Sequence, residues 1–302
     1  MSLKQDIQSV IDESKIEAGL AIWHIESDEK LDINGHVPFP MASTFKIPII
    51  ATAFQQIKAG KLNLETRVEL TDEIKSPGSG LLPFFQAGIS PTVRDLLTLM
   101  IIISDNTATD MTVELLGGTA VIENYMHKLG LSDIYFKMNC KDLIKHLFPP
   151  EVQEMSPEEI RIWSSENDVV RDGLCFSRGS DNDVSTANSM NELLRMIYQS
   201  EIVEADLREE LLNIMFKQQF NVRLSRFFPM IAQFAHKTGT IGGIRNDSGI
   251  LFLDDNNHVI ITLFTNWDEE AVHFDPVANQ QRIFEVETAM GKIGLLIYNH
   301  YK

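Results

Sequence analysis

Both ends of the 302-residue chain read as β-strand and the middle reads as helix, which predicts an α/β (α+β) protein. Near the N-terminus, Ala18 to Ile25 is apolar and β-prone, and Leu31 to Ile33 returns after the polar turn Ser27-Asp28-Glu29-Lys30. In the last third, 232–240, 247–252 and 258–265 read as strands, the last two joined by Asp254-Asp255-Asn256-Asn257. The simplest arrangement pairs the first hairpin with these strands in one antiparallel sheet. Helices from both ends cover it, and an all-helical lobe is inserted between. On this reading 1–38 and 222–302 form a discontinuous sheet domain and 39–221 a mostly helical one. A cleft between the two is a natural ligand site.

The remaining elements follow in order. Asp6 to Lys15 is an amphipathic helix with Ile7, Val10 and Ile11 on one face. Ser43 opens the apolar run Thr44 to Ile57, with Gly60 just beyond as a stop signal. Ser76 to Gly80 is a loop by composition. Ser90-Pro91 offers a cap and an N1 proline to a helix over 92–103, apolar nearly all round from Leu96 and therefore central. Thr107 to Leu116 is closed by Gly117-Gly118, and Thr119 caps a further helix to Leu129. From 132 to about 183 periodicity weakens, and Pro149-Pro150 and scattered acids suggest a long excursion with short helices. Helical spacing returns over 187–198 and 202–216, and 280–298 is a long closing helix.

Composition narrows the function. Lys and Arg number 26 against 43 Asp and Glu, a net charge of −17. A broad face for nucleic acid or an anionic membrane is therefore excluded, although a small cationic cleft is not. Two cysteines, Cys140 and Cys175, make no disulfide framework and read as free buried thiols. Neither belongs to a CxxC, no histidine pair has zinc-helix spacing, and no cofactor or metal is expected. No apolar run reaches membrane-spanning length. The first fifteen residues lack the apolar core of a secretory signal. The expectation is a protein kept inside the cell, or exported with its signal already removed, and monomeric by default.

Three short elements carry chemistry. In Ser43-Thr44-Phe45-Lys46, helical spacing puts serine and lysine on one face, and a lysine deprotonated by burial can take a serine proton. The second copy of that spacing, Ser27 to Lys30, lies in a charged turn that gives neither fixed geometry nor desolvation. Ser104-Asp105-Asn106 follows the most apolar helix, where a capped terminus is the ordinary reading. In Lys237-Thr238-Gly239-Thr240 a lysine sits oddly on an apolar strand, and Gly239 suggests close approach of another backbone or a ligand.

Together, in this order, the three elements resemble the signature set of class A β-lactamases and penicillin-binding proteins. The resemblance spans Phe39 to Ala108 and resumes at Ala235 to Thr240. It implies a β-lactamase/transpeptidase-like fold with Ser43 as the acylated nucleophile and Lys46 sharing its proton. Ser104 would relay a proton to the leaving nitrogen, with Lys237 holding it by charge. Asn106 would meet the substrate's side-chain amide, and the amides of Ser43 and Thr240 would form the oxyanion hole. Thr238 and Thr240 would bind the substrate carboxylate, and Gly239 lies between them. Arg223 stands where some members place a carboxylate-binding arginine, and Arg245 is the other candidate. The implied ligand is a small anion, a β-lactam or a peptidoglycan-like peptide.

The match breaks where the family hydrolyses its acyl-enzyme. No Glu-x-x-Leu-Asn element of the omega loop stands in the region before Ser185-Thr186-Ala187, which resembles that loop's exit, and Glu158, Glu159, Glu166 and Asp168 are unaligned acids in the right neighbourhood. The segment before Lys237 is also longer than usual for the family. Asp110 stands where the family usually has an asparagine that helps hold that glutamate, so an opposing carboxylate would be repelled or raised in pKa. The reading is thus a class A-like serine β-lactamase. One alternative is a D,D-peptidase-like or esterase-like enzyme that acylates at Ser43 but deacylates slowly. A second is a non-catalytic binding module.

Overall fold

The structure, a computed structural model, describes residues 2–155, 159–160, 162–163, 167, 172–267 and 275–302. The chain opens with α1 (Leu3–Ser14), β1 (Glu17–His24), β2 (Glu29–Ile33) and β3 (Pro38–Pro40). A 3-10 turn, Ala42–Phe45, leads into α2 (Lys46–Lys58), followed by α3 (Val93–Ile102), α4 (Asn106–Leu116) and α5 (Thr119–Lys128). Short helices α6 (Cys140–Lys145) and α7 (Pro150–Gln153) come next, then β4 (Val184–Thr186), α8 (Ala187–Tyr198) and α9 (Ala205–Met215). β5 (Gln233–Ile241), β6 (Ile244–Asp254), β7 (Asn257–Asn266) and α10 (Pro276–Tyr301) close the chain.

The five-stranded sheet has the order β2-β1-β7-β6-β5, every neighbouring pair antiparallel. β1 from the N-terminus pairs with β7 from the C-terminus, from Glu17 opposite Asn266 to His24 opposite Val259. Alternation sends Val259, Ile261 and Leu263 of β7 to one face and Ile260 and Phe264 to the other. The first set packs on Ile7 and Ile11 of α1 and on Ile293 and Ile297 of α10. The second joins a larger core with Phe39, Phe45, Ile49, Phe54, Leu96, Leu97 and Met100. Each fully buried side chain of this size contributes about 1.5–3 kcal/mol of transfer free energy. The expected pairing of chain ends is therefore how the sheet is built.

Several local expectations are corrected. Ser90 does not cap α3; Thr92 does, in a box where its Oγ1 accepts from Asp95 N at 3.1 Å and Asp95 accepts from Thr92 N at 2.9 Å. Thr119 is the first helical residue of α5, with Gly118 at the cap. The helix expected from 202 starts at Ala205. Ser43 does not cap a helix but lies inside the 3-10 turn before α2. The 132–183 excursion holds the expected short helices and leads into a strand that was not expected, β4, paired with β3. The decoy Lys30 is spent on the surface, over the Trp23 ring and 3.6 Å from Asp28. Among the described residues no helix is long and apolar enough to cross a membrane.

One buried carboxylate pins the excursion to the sheet end of the molecule. Asp183 Oδ1 accepts from Lys137 N at 2.6 Å and Met138 N at 3.0 Å, and the Asp183 carbonyl accepts from Met41 N at 2.9 Å. Burial pushes its pKa up to about 7, against the pull of those two amides. Its folded-state pKa exceeds the unfolded one, so its contribution to stability is fully present below about pH 4 and lost as pH rises through about 7. Urea unfolding between pH 4 and 8 is expected to show this loss, of order 4 kcal/mol at most, and Asp183→Asn to flatten that slope.

Candidate active site

Backbone approach assembles the site. β5 runs against the 3-10 turn so closely that a Cβ on Gly239 would lie 2.7 Å from the Met41 carbonyl oxygen and 3.2 Å from Ser43 N. Only glycine permits that contact, the close approach expected from its place in a strand. From β6, Asn246 Nδ2 donates to the carbonyls of Pro40 at 2.9 Å and Met41 at 3.0 Å, tying the turn from a second side. Ala42 is held at φ 45° and Ser104 at φ 58°, two non-glycine left-handed positions at the site.

Ser43, Ser104, Asn106, Thr238, Thr240 and Arg223 line one cleft of about 420 Å³. Ser43 is half-buried, and its hydroxyl has no hydrogen-bond partner among the described residues. Lys46 is fully buried at the start of α2. Its Nζ donates to the Ser104 carbonyl, Ser104 Oγ and Asn106 Oδ1, each at 2.9 Å. Burial lowers its pKa, opposed by the nearby carboxylates of Asp110 and Asp105. Lys46 thus bridges the first two motifs and does not hydrogen-bond Ser43. Lys237 is fully buried and donates to the Thr238 carbonyl at 2.7 Å, not to Ser104. Burial, with the nearby charges of Lys46 and Arg223, holds its pKa well below the usual lysine range.

Asp105 organises the middle motif. It caps α4 by accepting from Ala108 N at 2.9 Å, and its other oxygen accepts from Leu81 N at 2.6 Å and Leu82 N at 2.9 Å. Asn106 Nδ2 donates to the Pro77 carbonyl at 2.9 Å, so both ends of its amide are engaged.

Arg223 is buried rather than a surface ion-pair partner. Its Nη1 donates to the carbonyls of Gly239 at 2.6 Å and Asn246 at 2.7 Å, and its Nη2 donates to Thr240 Oγ1. Arg245 turns to the Gly242 and Ile244 carbonyls and lies outside the cleft lining. Burial beside Arg223 pushes its pKa down to about 10. Glu287 of α10 lines the cleft with an oxygen 3.5 Å from Arg223 Nε and 3.8 Å from Arg245 Nε. Nothing local in the sequence marks this glutamate, which sits deep in the closing helix.

The second residue missed by sequence reasoning is Cys140, a free buried thiol that lines the cleft beside Leu143 and Ile144. Asp110 does not face a glutamate among the described residues. Its Oδ1 accepts from Cys140 N at 2.7 Å, and its Oδ2 accepts from Lys141 N at 3.0 Å and Ser76 Oγ at 2.5 Å. Burial raises the Asp110 pKa and pushes the Cys140 thiol far up, which keeps that thiol protonated. Of the four unaligned acids, Glu158, Glu166 and Asp168 lie outside the described residues. Glu159 is exposed and is not part of the cleft lining.

A family model described as the Beta-lactamase enzyme family matches residues 2–301. The chain belongs to that family. It is 25% identical over 281 residues to the extended-spectrum β-lactamase PER-1 of Pseudomonas aeruginosa, covering 89% of this chain and 81% of that protein. β-Lactamase VEB-1 of the same organism is 24% identical, covering 99% and 90%. Among solved structures, a β-lactamase from Chitinophaga pinensis superposes with a TM-score of 0.78 at 24% identity, covering 99% of each chain. A PBP-A mutant solved as its acyl-enzyme complex with penicillin G gives 0.77 at 23% identity, covering 99% of this chain and 96% of that one. The fold is the β-lactamase/transpeptidase-like α+β fold.

The glycine contact makes a direct expectation. In Gly239→Ala the added methyl meets the Met41 carbonyl and the Ser43 and Thr44 amides, so the turn carrying Ser43 must shift. Covalent labelling of Ser43 by a penicillin, followed by intact mass, is expected to slow at least about a hundredfold, as misplacing reacting groups by an ångström does.

Proposed function

We propose that the protein opens β-lactam amides through an acyl-Ser43 intermediate. The observation that carries this reading is the buried Lys46, lowered in pKa and joined to Ser104 and Asn106 within the cleft that Ser43 lines. Ser43 Oγ attacks the lactam carbonyl while its proton passes to Lys46, whose burial favours the uncharged amine that can accept it. The amides of Ser43 and Thr240 receive the developing oxyanion. As the carbon–nitrogen bond breaks, the nitrogen takes a proton from Ser104, whose hydroxyl is refilled by Lys46 along their 2.9 Å hydrogen bond. Thr238, Thr240 and Arg223 take the carboxylate of a small anionic substrate. The acyl ester on Ser43 is then released by water.

Cys140 favours a second reading, in which the last step is slow. Releasing the ester requires a base for water. Among the described residues the one carboxylate lining the cleft, Glu287, is engaged by two arginines. The residue that Asp110 holds at the cleft wall is Cys140, a protonated thiol and no base at neutral pH. Under this reading the enzyme takes a β-lactam or a peptide-like acyl donor and keeps it.

Incubation with benzylpenicillin and intact mass is expected to show one adduct on the protein and none on Ser43→Ala. Lys46→Ala is expected to slow adduct formation by about 10² to 10⁴. No adduct on the wild type would overturn the acyl-enzyme and favour the binding module. Cys140→Glu, which puts a carboxylate on the wall, is expected to speed adduct loss by about tenfold or more. Rapid steady-state turnover of a chromogenic cephalosporin by the wild type would overturn slow release.

A further inference from the structure

Beneath the cleft lies a buried pair that the acyl-transfer chemistry does not use. His236 is 1% exposed and Asp247 0%, and His236 Nδ1 lies 2.7 Å from Asp247 Oδ1. By strand alternation His236 faces away from Lys237, on the side of the sheet shared with Thr238 and Thr240. The pair holds the segment that carries Arg223 at both of its ends. On one side of Arg223, Asn221 Oδ1 lies 3.1 Å from His236 Nε2. On the other, Leu224 N donates to Asp247 Oδ2 at 3.2 Å. The amide orientation of Asn221 is set by its Nδ2 donating to the Gln218 carbonyl at 3.1 Å. Gln218 is itself anchored, donating to the Ile101 carbonyl at 2.8 Å. Between these anchors Phe220, Val222 and Arg223 all line the cleft.

We propose that His236 and Asp247 form a positioning pair that sets the affinity of the cleft for an anionic substrate by holding Arg223 in place through Asn221 and Leu224. The inference rests on Arg223 as the carboxylate-binding residue. His236 touches no part of the cleft and acts only through the strap.

The ring geometry gives the pair a signature. Both ring nitrogens face oxygen acceptors, Asp247 Oδ1 and Asn221 Oδ1, so two N–H donors are needed to satisfy both. The doubly protonated ring donates to each. The neutral ring has one proton, keeps its bond to the carboxylate and releases Asn221. The charged groups that bear on the pair are Asp247 from β6, Arg223 from the strap and Lys237 from β5, the last two both coupled by charge to Asp247. On β5 itself the Phe234 ring stacks on His236 with centroids 4.4 Å apart, and Lys237 points to the other face. Removing the ring or the Asn221 amide is therefore expected to loosen the strap and weaken binding without touching the reacting groups.

The test separates binding from chemistry. In a Ser43→Ala background, benzylpenicillin binds without acylating, so its Kd is measured by titration calorimetry. Asn221 is exposed, so Asn221→Ala leaves the core intact. It is expected to weaken Kd about fivefold, the cost of one hydrogen bond. His236→Gln is expected to weaken it as well. With Ser43 restored, the acylation rate constant at saturating penicillin is expected to stay within about twofold in Asn221→Ala, since the altered contact is outside the reacting groups. If Arg223→Gln weakens Kd but Asn221→Ala and His236→Gln keep the wild-type Kd, the positioning pair is overturned and the carboxylate reading stands. If Arg223→Gln leaves Kd unchanged, that reading falls and the positioning pair falls with it.

Discussion

Burying a lysine at the base of α2 is costly unless oxygen acceptors replace the water it loses, and the Lys46 environment is built to supply them. Two of the three acceptors come from Ser104, whose left-handed backbone turns both its carbonyl and its hydroxyl toward the amine. The third is Asn106, fixed by the loop at Pro77. The amine thus dictates the geometry of the turn between α3 and α4. That turn, through Asp105, also organises the lip of the cleft at Leu81 and Leu82. Stability and chemistry are not separable here: the contacts that make the buried lysine tolerable also hold the groups that would move protons.

The opposite wall follows from a different constraint, the approach of β5 to the 3-10 turn across Gly239. A strand that close brings Thr238 and Thr240 to the cleft and lets Arg223 reach the strand's own carbonyls. Three cationic side chains, Lys46, Lys237 and Arg223, converge in a protein of net charge −17. Burial depresses both lysine pKa values, and at Lys237 the charges of Lys46 and Arg223 add to it, which suits Lys46 to accept a proton and leaves the cleft short of negative charge. Glu287 offsets part of that imbalance, and an incoming carboxylate supplies the rest.

The third wall sets this chain apart from the family pattern it resembles. Asp110 is occupied by the amides at the start of α6 and by Ser76, so its burial is met by three donors. What α6 presents to the cleft is a neutral thiol and aliphatic side chains. Both departures from the family pattern, at Asp110 and at Cys140, thus fall on one wall of the cleft.

The sequence by itself determined the sheet built from both chain ends, the helical insert and the three motifs around Ser43, Ser104 and Lys237. Those properties are written in local periodicity, in turn residues and in residues whose chemistry is out of place, such as a lysine on an apolar helix or strand. It also marked Gly239, because a glycine inside a strand has few other uses. The partner of each buried amine was not legible. Lys46 holding Ser104, and Lys237 holding the Thr238 carbonyl, depend on ångström-scale side-chain reach. Nor could local pattern show that Thr92 caps α3, because Ser90-Pro91 carries an equally good signal two residues earlier. Cys140, Glu287 and the His236–Asp247 pair were decided only by tertiary structure. They come from a weakly periodic excursion, a helix and a strand pair far apart in the chain, and each gains its meaning from the neighbours that folding places around one cleft.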